Sequence, residues 1–148
     1  MNEFAVALGW LGVYGAMAFG AVGSMIGCAI AGQAAIGAMM ETEGGYGRFV
    51  GVSAMPSSQI IYGIVIMFSI QRPVTPENGG ALFAIGLLAG IALMVSAMWQ
   101  GRACASAIAA SKDKPEIFGL ALAPAAIVEG FAVFAFIFAL VLAGSIPA

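Results

Sequence analysis

Three short polar islands interrupt an otherwise apolar chain. They are Glu41-Thr42-Glu43-Gly44-Gly45, Gln71-Arg72-Pro73-Val74-Thr75-Pro76-Glu77-Asn78-Gly79-Gly80 and Ser111-Lys112-Asp113-Lys114-Pro115-Glu116. Between them lie four apolar segments, 4–40, 48–70, 81–111 and 116–145. The segments lack the polar–apolar alternation of membrane strands, so the pattern predicts helices. A helix needs about 20 mainly apolar residues to cross the bilayer core, and each segment meets that length. The first and third exceed it, and are expected to tilt or to project beyond the lipid. An even number of crossings puts both ends of the chain on one side. The reading is a single membrane domain over 1–148, with one helical hairpin in 1–70 and a second in 81–145.

Composition agrees and narrows the class. Hydrophobic residues make up 62% of the 148, charged residues 8%, and the mean hydropathy is +1.06. A soluble domain would need far more surface charge. Lys and Arg total five, which excludes a nucleic-acid-binding surface. Histidine is absent, so no relay or metal site can use it. Cys28 and Cys104 stand alone in apolar stretches and read as small packing residues. The opening Met1-Asn2-Glu3 carries no positive charge, so the first apolar run reads as a retained helix and not a removed signal peptide. Arg48, Arg102, Lys112 and Lys114 lie at or near the first and third connections, and only Arg72 marks the second. That bias predicts loops 41–47 and 111–116 in the cytoplasm and the termini outside.

The two halves resemble one another. Gly32-Gln33-Ala34-Ala35-Ile36-Gly37-Ala38-Met39 overlays Gly101-Arg102-Ala103-Cys104-Ala105-Ser106-Ala107-Ile108. Each is followed by a polar turn, an aromatic (Phe49, Phe118) and a helix with proline (Pro56, Pro124). This order suggests a duplicated hairpin, parallel and not inverted. The first segment carries Gly9, Gly12, Gly15, Gly20, Gly23, Gly27 and Gly32, and the third carries a Gly86/Gly90 GxxxG. Small faces let membrane helices approach closely. Helices one and three are expected to form a tight inner layer. Phe131, Phe134, Phe136 and Phe138 of helix four, with Ile60, Ile61, Ile64, Ile66 and Phe68 of helix two, would carry the bulk outside. Such a layering suits many copies arranged in a ring.

Candidate chemistry centres on Glu129, the only acid deep in any segment. An acid at the helix centre costs about 2.5–3.5 kcal/mol on insertion scales, so it needs a partner or a neutral form. The plain alternative is a protonated Glu tying two helices together. Ser58 and Gln59 lie near the middle of segment two, Tyr62 shares their face, and Gln100 lies in segment three. Pro56 crowds the Val52 carbonyl and loosens the ladder one turn before Gln59. Together these groups offer one carboxylate, two amide oxygens, a hydroxyl and a loosened carbonyl. An all-oxygen set with one negative charge suits a monovalent hard cation. Carrying a proton needs Glu129 alone, and each further polar group adds insertion cost. Na+ is therefore favoured over H+. Gln33, nearer a helix end, reads as a helix-to-helix hydrogen bond.

The chain resembles the proteolipid, or K subunit, of V-type rotary ATPases over nearly all its length. Met55-Pro56-Ser57-Ser58-Gln59-Ile60-Ile61-Tyr62-Gly63 is similar to the helix-two motif of the sodium-translocating bacterial members. Val128-Glu129 and Trp99-Gln100-Gly101 are similar to their helix-four and helix-three motifs. The resemblance implies an all-α membrane protein, four transmembrane helices as two fused helical hairpins, assembling into a homo-oligomeric ring. It implies a Na+ site of Glu129, side-chain oxygens of Ser58, Gln59 and Gln100, and the Met55 backbone carbonyl, with Tyr62 giving a locking hydrogen bond to Glu129. Ser58 stands where these members commonly have Thr. Further implications are a stator subunit bearing an arginine, central-stalk subunits on the cytoplasmic loops, a lipid surround and a bacterial cell membrane. No organic cofactor and no catalysis by the chain alone are expected. Competing readings are the same ring carrying H+, a small four-helix cation or multidrug exporter, and a structural four-span protein.

Overall fold

A bilayer core offers no water to backbone N–H and C=O groups, so a spanning segment must bond them internally. The computed structural model, which describes residues 2–146, is built accordingly from helices. Helix α1 covers Asn2–Glu41, α2 Tyr46–Ser53, α3 Ser58–Ile70, α4 Gly79–Asp113, α5 Phe118–Ala121 and α6 Ala123–Ala143. Short 3₁₀ turns at Met55–Ser57 and Pro115–Ile117 join α2 to α3 and lead into α5. No strand occurs among the described residues. Among the described residues four stretches are long and apolar enough to cross a membrane: Asn2–Glu41, Tyr46–Ile70, Gly79–Asp113 and Pro115–Ala143. At 1.5 Å per residue α1 is about 60 Å long and α4 about 52 Å. Both outrun a hydrocarbon core of about 30 Å, as their segment lengths predict.

Each shorter span is broken once, next to a proline. Pro56 has no N–H to give the Val52 carbonyl. The chain tightens there, with Ser57 N–H bonding the Ala54 carbonyl at 3.0 Å and Ser58 N–H bonding Met55. Pro124 sits just inside α6, and the helix breaks at Leu122. The two breaks occupy matching places in the two hairpins.

Glycine explains how the long helices meet. A Cβ on Gly12 would strike the Leu82 carbonyl, and one on Gly23 would lie 2.5 Å from the Met94 Cα. Ala5 faces Gly79, Gly12 faces Gly86 and Gly27 faces Gly101, at one constant spacing. Helices α1 and α4 therefore run parallel in backbone contact, the inner seam expected from the small residues. Gly32 and Gly37 lie off this face, where an added Cβ would meet nothing within 4 Å, while Ala31, Ala35 and Ala38 carry the buried stripe on toward the end of α1.

The bulk is divided less simply than expected. Ile61, Phe68, Phe131, Phe134 and Phe138 are exposed. Ile66, however, is fully buried, and Phe136 packs partly buried against the core. Their helix faces turn toward α1 and α4, which composition alone does not reveal. Gln33 also departs from expectation. It is exposed on α1 and bonds no other helix among the described residues, because it lies on the face turned away from the buried Ala31, Ala35 and Ala38.

The ends are clamped. Lys112 pairs with Glu41 at 2.6 Å, and Arg48 reaches the Ser111 carbonyl at 3.5 Å, so the first and third connections share one end. The Arg48 guanidinium also lies 4.8 Å over the Phe49 ring and 5.7 Å from that of Phe118. At the other end Arg72 donates to the carbonyls of Ile146 (2.7 Å) and Ala143 (3.1 Å), capping α6 from the second connection.

Candidate functional site

The apolar interior is two clusters, not one. The first holds Val13, Ala16, Ile66, Ile70, Leu82, Leu93, Ala132 and Ala139; the second holds Ala31, Ala35, Phe49, Val52, Cys104, Ile108 and Ala125. On every span a polar side chain lies between the two: Ser24 on α1, Gln59 on α3, Ser96 and Gln100 on α4, Glu129 on α6. Gln59 and Gln100 are fully buried, Ser24 and Ser96 nearly so. A polar layer near mid-span costs insertion energy unless its groups satisfy one another. They do.

Glu129 is the hub. The Tyr62 hydroxyl donates to its Oε1 at 3.1 Å, and Gln100 Nε2 donates to its Oε2 at 3.1 Å. Gln100 Nε2 also donates to the Ala125 carbonyl at 3.3 Å. Gln100 Oε1 accepts from Gln59 Nε2 at 2.9 Å. Ser58 Oγ lies 3.2 Å from Gln59 Oε1 and 3.3 Å from the Met55 carbonyl, both acceptors for its one proton. All six residues singled out in the sequence thus belong to one hydrogen-bonded chain, running from Met55 through Ser58, Gln59 and Gln100 to Glu129 and Tyr62. The Tyr62 ring stacks on Phe136 at 5.2 Å between centroids, which fixes the hydroxyl's approach.

The Gln100 amide departs from the expectation of amide oxygens gathered at the carboxylate. It turns its nitrogen, not its oxygen, toward Glu129. The Ala125 carbonyl beside it can only accept, so the amide end that serves both it and the carboxylate must be the donor. The Gln100 oxygen faces Gln59 and keeps a second lone pair. The acceptor oxygens in this layer include those of Glu129, Gln59, Gln100, Ser58 and Met55. No nitrogen lone pair or thiolate stands among them, and the set carries one formal charge.

Two members were not singled out in the sequence. Ser96 Oγ donates to the Val128 carbonyl at 3.0 Å and accepts from Gln59 Nε2 at 3.4 Å. Ser24 Oγ accepts the Ile60 N–H at 3.1 Å, a backbone donor in the first turn of α3. Their signal was a lone serine at the level of the other polar residues, Ser96 one helical turn before Gln100. The cysteines stay outside the layer. Cys104 is buried in the second cluster, its sulfur 3.9 Å from that of Met55, and both cysteines are free thiols.

Two stretches of the chain, residues 11–70 and 83–142, match the family described as the C subunit of ATP synthase. The A-type ATP synthase subunit K of Methanocaldococcus jannaschii is 34% identical over 122 residues, which cover 80% of this chain and 56% of that relative. The chain thus spans little more than half the length of the relative it matches.

Proposed function

The chain belongs to the family of ATP synthase C subunits and carries two copies of its hairpin in tandem, and from that premise we propose that it is a rotor-ring subunit, taking Na+ across the membrane on Glu129 as the ring turns. The observation that carries the reading is the polar layer, with its single carboxylate between α3, α4 and α6 and every other acceptor neutral. A monovalent cation neutralises such a site, whereas a divalent one would leave a buried charge. Na+ would be held by the Glu129 carboxylate, Oε1 of Gln59 and of Gln100, the Ser58 hydroxyl and the Met55 carbonyl. Tyr62 would lock the carboxylate by donating to its Oε1. A bare proton carrier has no use for neutral acceptors around its acid, which is why Na+ is preferred to H+.

Several identical copies would close into a ring surrounded by lipid, each presenting Glu129 near mid-membrane. At the stator, an arginine would compete for the carboxylate and release the ion to one side; a fresh ion would enter from the other. Returning to lipid with the carboxylate charged and unpartnered costs about 2.5–3.5 kcal/mol or more, so only a loaded site turns freely. That cost couples rotation to transport. ATP hydrolysis elsewhere in the complex would drive it through a central stalk seated on loops 41–47 and 111–116. Those loops share the end carrying most of the basic side chains, which supports a cytoplasmic position for them and an outside position for the termini. The first hairpin has no intramembrane acid, so one ion crosses per four helices. Fewer ions per turn favour pumping over synthesis.

The test is labelling of Glu129 by a hydrophobic carbodiimide, which attacks the protonated acid, across a Na+ titration at fixed pH. Protection by Na+ and not by K+ is the expected result. Labelling that ignores Na+ and follows pH alone would replace Na+ with H+. A protein that stays monomeric or dimeric in mild detergent would overturn the ring.

A further inference from the structure

Ser96 sits on α4 between the two apolar clusters, 8% exposed, and hydrogen-bonds neither the carboxylate nor Ser58. Its bonds have a forced direction. A hydroxyl has one proton, and the Val128 carbonyl 3.0 Å away can only accept it. The Ser96 oxygen is left to accept, so the Gln59 amide end facing it at 3.4 Å must be nitrogen. The second proton on that nitrogen goes to Gln100 Oε1 at 2.9 Å. Gln100 is oriented independently by the Ala125 carbonyl, and the two carbonyls of α6 demand the same polarity. With both Gln59 amide protons used on the α4 side, its Oε1 is turned to Ser58 Oγ, which also reaches the Met55 carbonyl.

We infer that Ser96 is a positioning residue for the ion site: it holds the Gln59 amide with its oxygen toward the cation and its nitrogen away, and thereby sets Na+ affinity. The inference rests on the Na+ reading proposed above. Removing the hydroxyl leaves one Gln59 N–H without a partner, and only Gln100 then opposes rotation of the amide. The two donors on Glu129 stay in place, because Ala125 still holds Gln100. The effect is therefore confined to cation binding.

The experiment compares wild type, Ser96→Ala, Ser96→Thr and Ser96→Cys in rings within native membranes, by carbodiimide labelling of Glu129. Two curves are taken for each: Na+ at fixed pH, and pH in sodium-free buffer. Ser96→Ala is expected to raise the Na+ concentration for half-protection roughly two- to tenfold, the worth of one hydrogen bond. Its sodium-free pH profile should match wild type. Ser96→Thr keeps the hydroxyl, and its extra methyl has space in the groove lined by Ala92, Val95, Trp99 and Phe131, so it should restore the wild-type midpoint. Ser96→Cys, a weaker hydrogen-bonding group of similar size, should fall between, and carries the test if the alanine ring does not assemble. A wild-type Na+ midpoint in the Ala or Cys variant overturns the inference and leaves the Na+ reading standing. A joint shift of both curves also overturns it, showing general loosening. Wild-type labelling indifferent to Na+ removes the Na+ reading itself, and this inference with it.

Discussion

Replacing Tyr62 with Phe isolates a single bond in the site. The phenyl ring keeps its stack on Phe136, and what is lost is the hydroxyl donating to Glu129 Oε1 at 3.1 Å. Hydrogen bonds to charged groups contribute about 1.5–3 kcal/mol in water-soluble proteins. Between membrane helices the measured values are smaller, about 0.6 kcal/mol on average and up to about 1.7. The site is half-buried, with a second donor from Gln100 still holding Oε2. A loss of about 1–2 kcal/mol is therefore expected, a rise of about 5–30-fold in the Na+ needed for half-protection of Glu129 from carbodiimide. The released carboxylate should also label faster in sodium-free buffer at the same pH, since the bond that shields it is gone. This second effect separates Tyr62, which touches the carboxylate, from Ser96, which does not. The reasoning is refuted if Tyr62→Phe leaves both the midpoint and the labelling rate unchanged. It is refuted equally if the ring falls apart, since the stacking that Phe preserves would then be insufficient.

Four other variants probe the site and the packing around it. Glu129→Gln should abolish transport while the ring, sized in mild detergent, stays assembled; loss of assembly would make the acid a structural tie. Gly86→Ala puts a Cβ against the Gly12 carbonyl and should weaken the packing of α1 on α4 by about 1–3 kcal/mol, seen as a lower unfolding temperature, whereas Gly37→Ala, with nothing within 4 Å, should leave it unchanged. Arg72→Gln removes the fork that caps α6 and should speed hydrogen exchange over residues 140–146 with no change in Na+ midpoint; unchanged exchange would mean the cap contributes nothing.

The spans were legible because hydropathy is local: a run of apolar residues needs no knowledge of its neighbours to read as a crossing. The α1–α4 seam was legible for a related reason, since glycine repeated along two long helices has few uses besides close approach. Glu129, Gln59, Gln100, Ser58 and Tyr62 stood out because polar groups in such runs are costly. The direction of the Gln100 amide was not legible, because the two ends of an amide are distinguished only by what faces them, here the Ala125 carbonyl from another helix. Ser24 and Ser96 were missed because a lone hydroxyl among small residues is ordinary in membrane helices. What gives each its meaning is one backbone group across the interface. Ile66 was misjudged likewise: its size suggests an outer position, but which way it points is set by the helix opposite.

Helix α1 contributes no candidate ligand, yet its glycines at mid-span answer to the break in the helix that contributes most. Pro56 interrupts the ladder of the second span, and within a bilayer each freed backbone group must find a partner or a close-packed cover. Gly20, Ser24 and Gly27 fall along one stripe of α1 facing that break. A Cβ on Gly20 would lie 2.9 Å from the Gln59 carbonyl, and one on Gly27 would lie 2.7 Å from the Pro56 Cβ. Between them Ser24 takes the Ile60 N–H. The stripe is thus shaped to the broken helix, admitting backbone where it is bare and bonding it where a donor is free. A side chain at Gly20 would push α3 away from α1, and one at Gly27 would press on the Pro56 turn and the Ala97 backbone of α4, so the 2.9 Å bond from Gln59 to Gln100 would have to stretch or shift. The glycines that serve close packing at the ends of the seam also set, at its centre, where the candidate ligands sit.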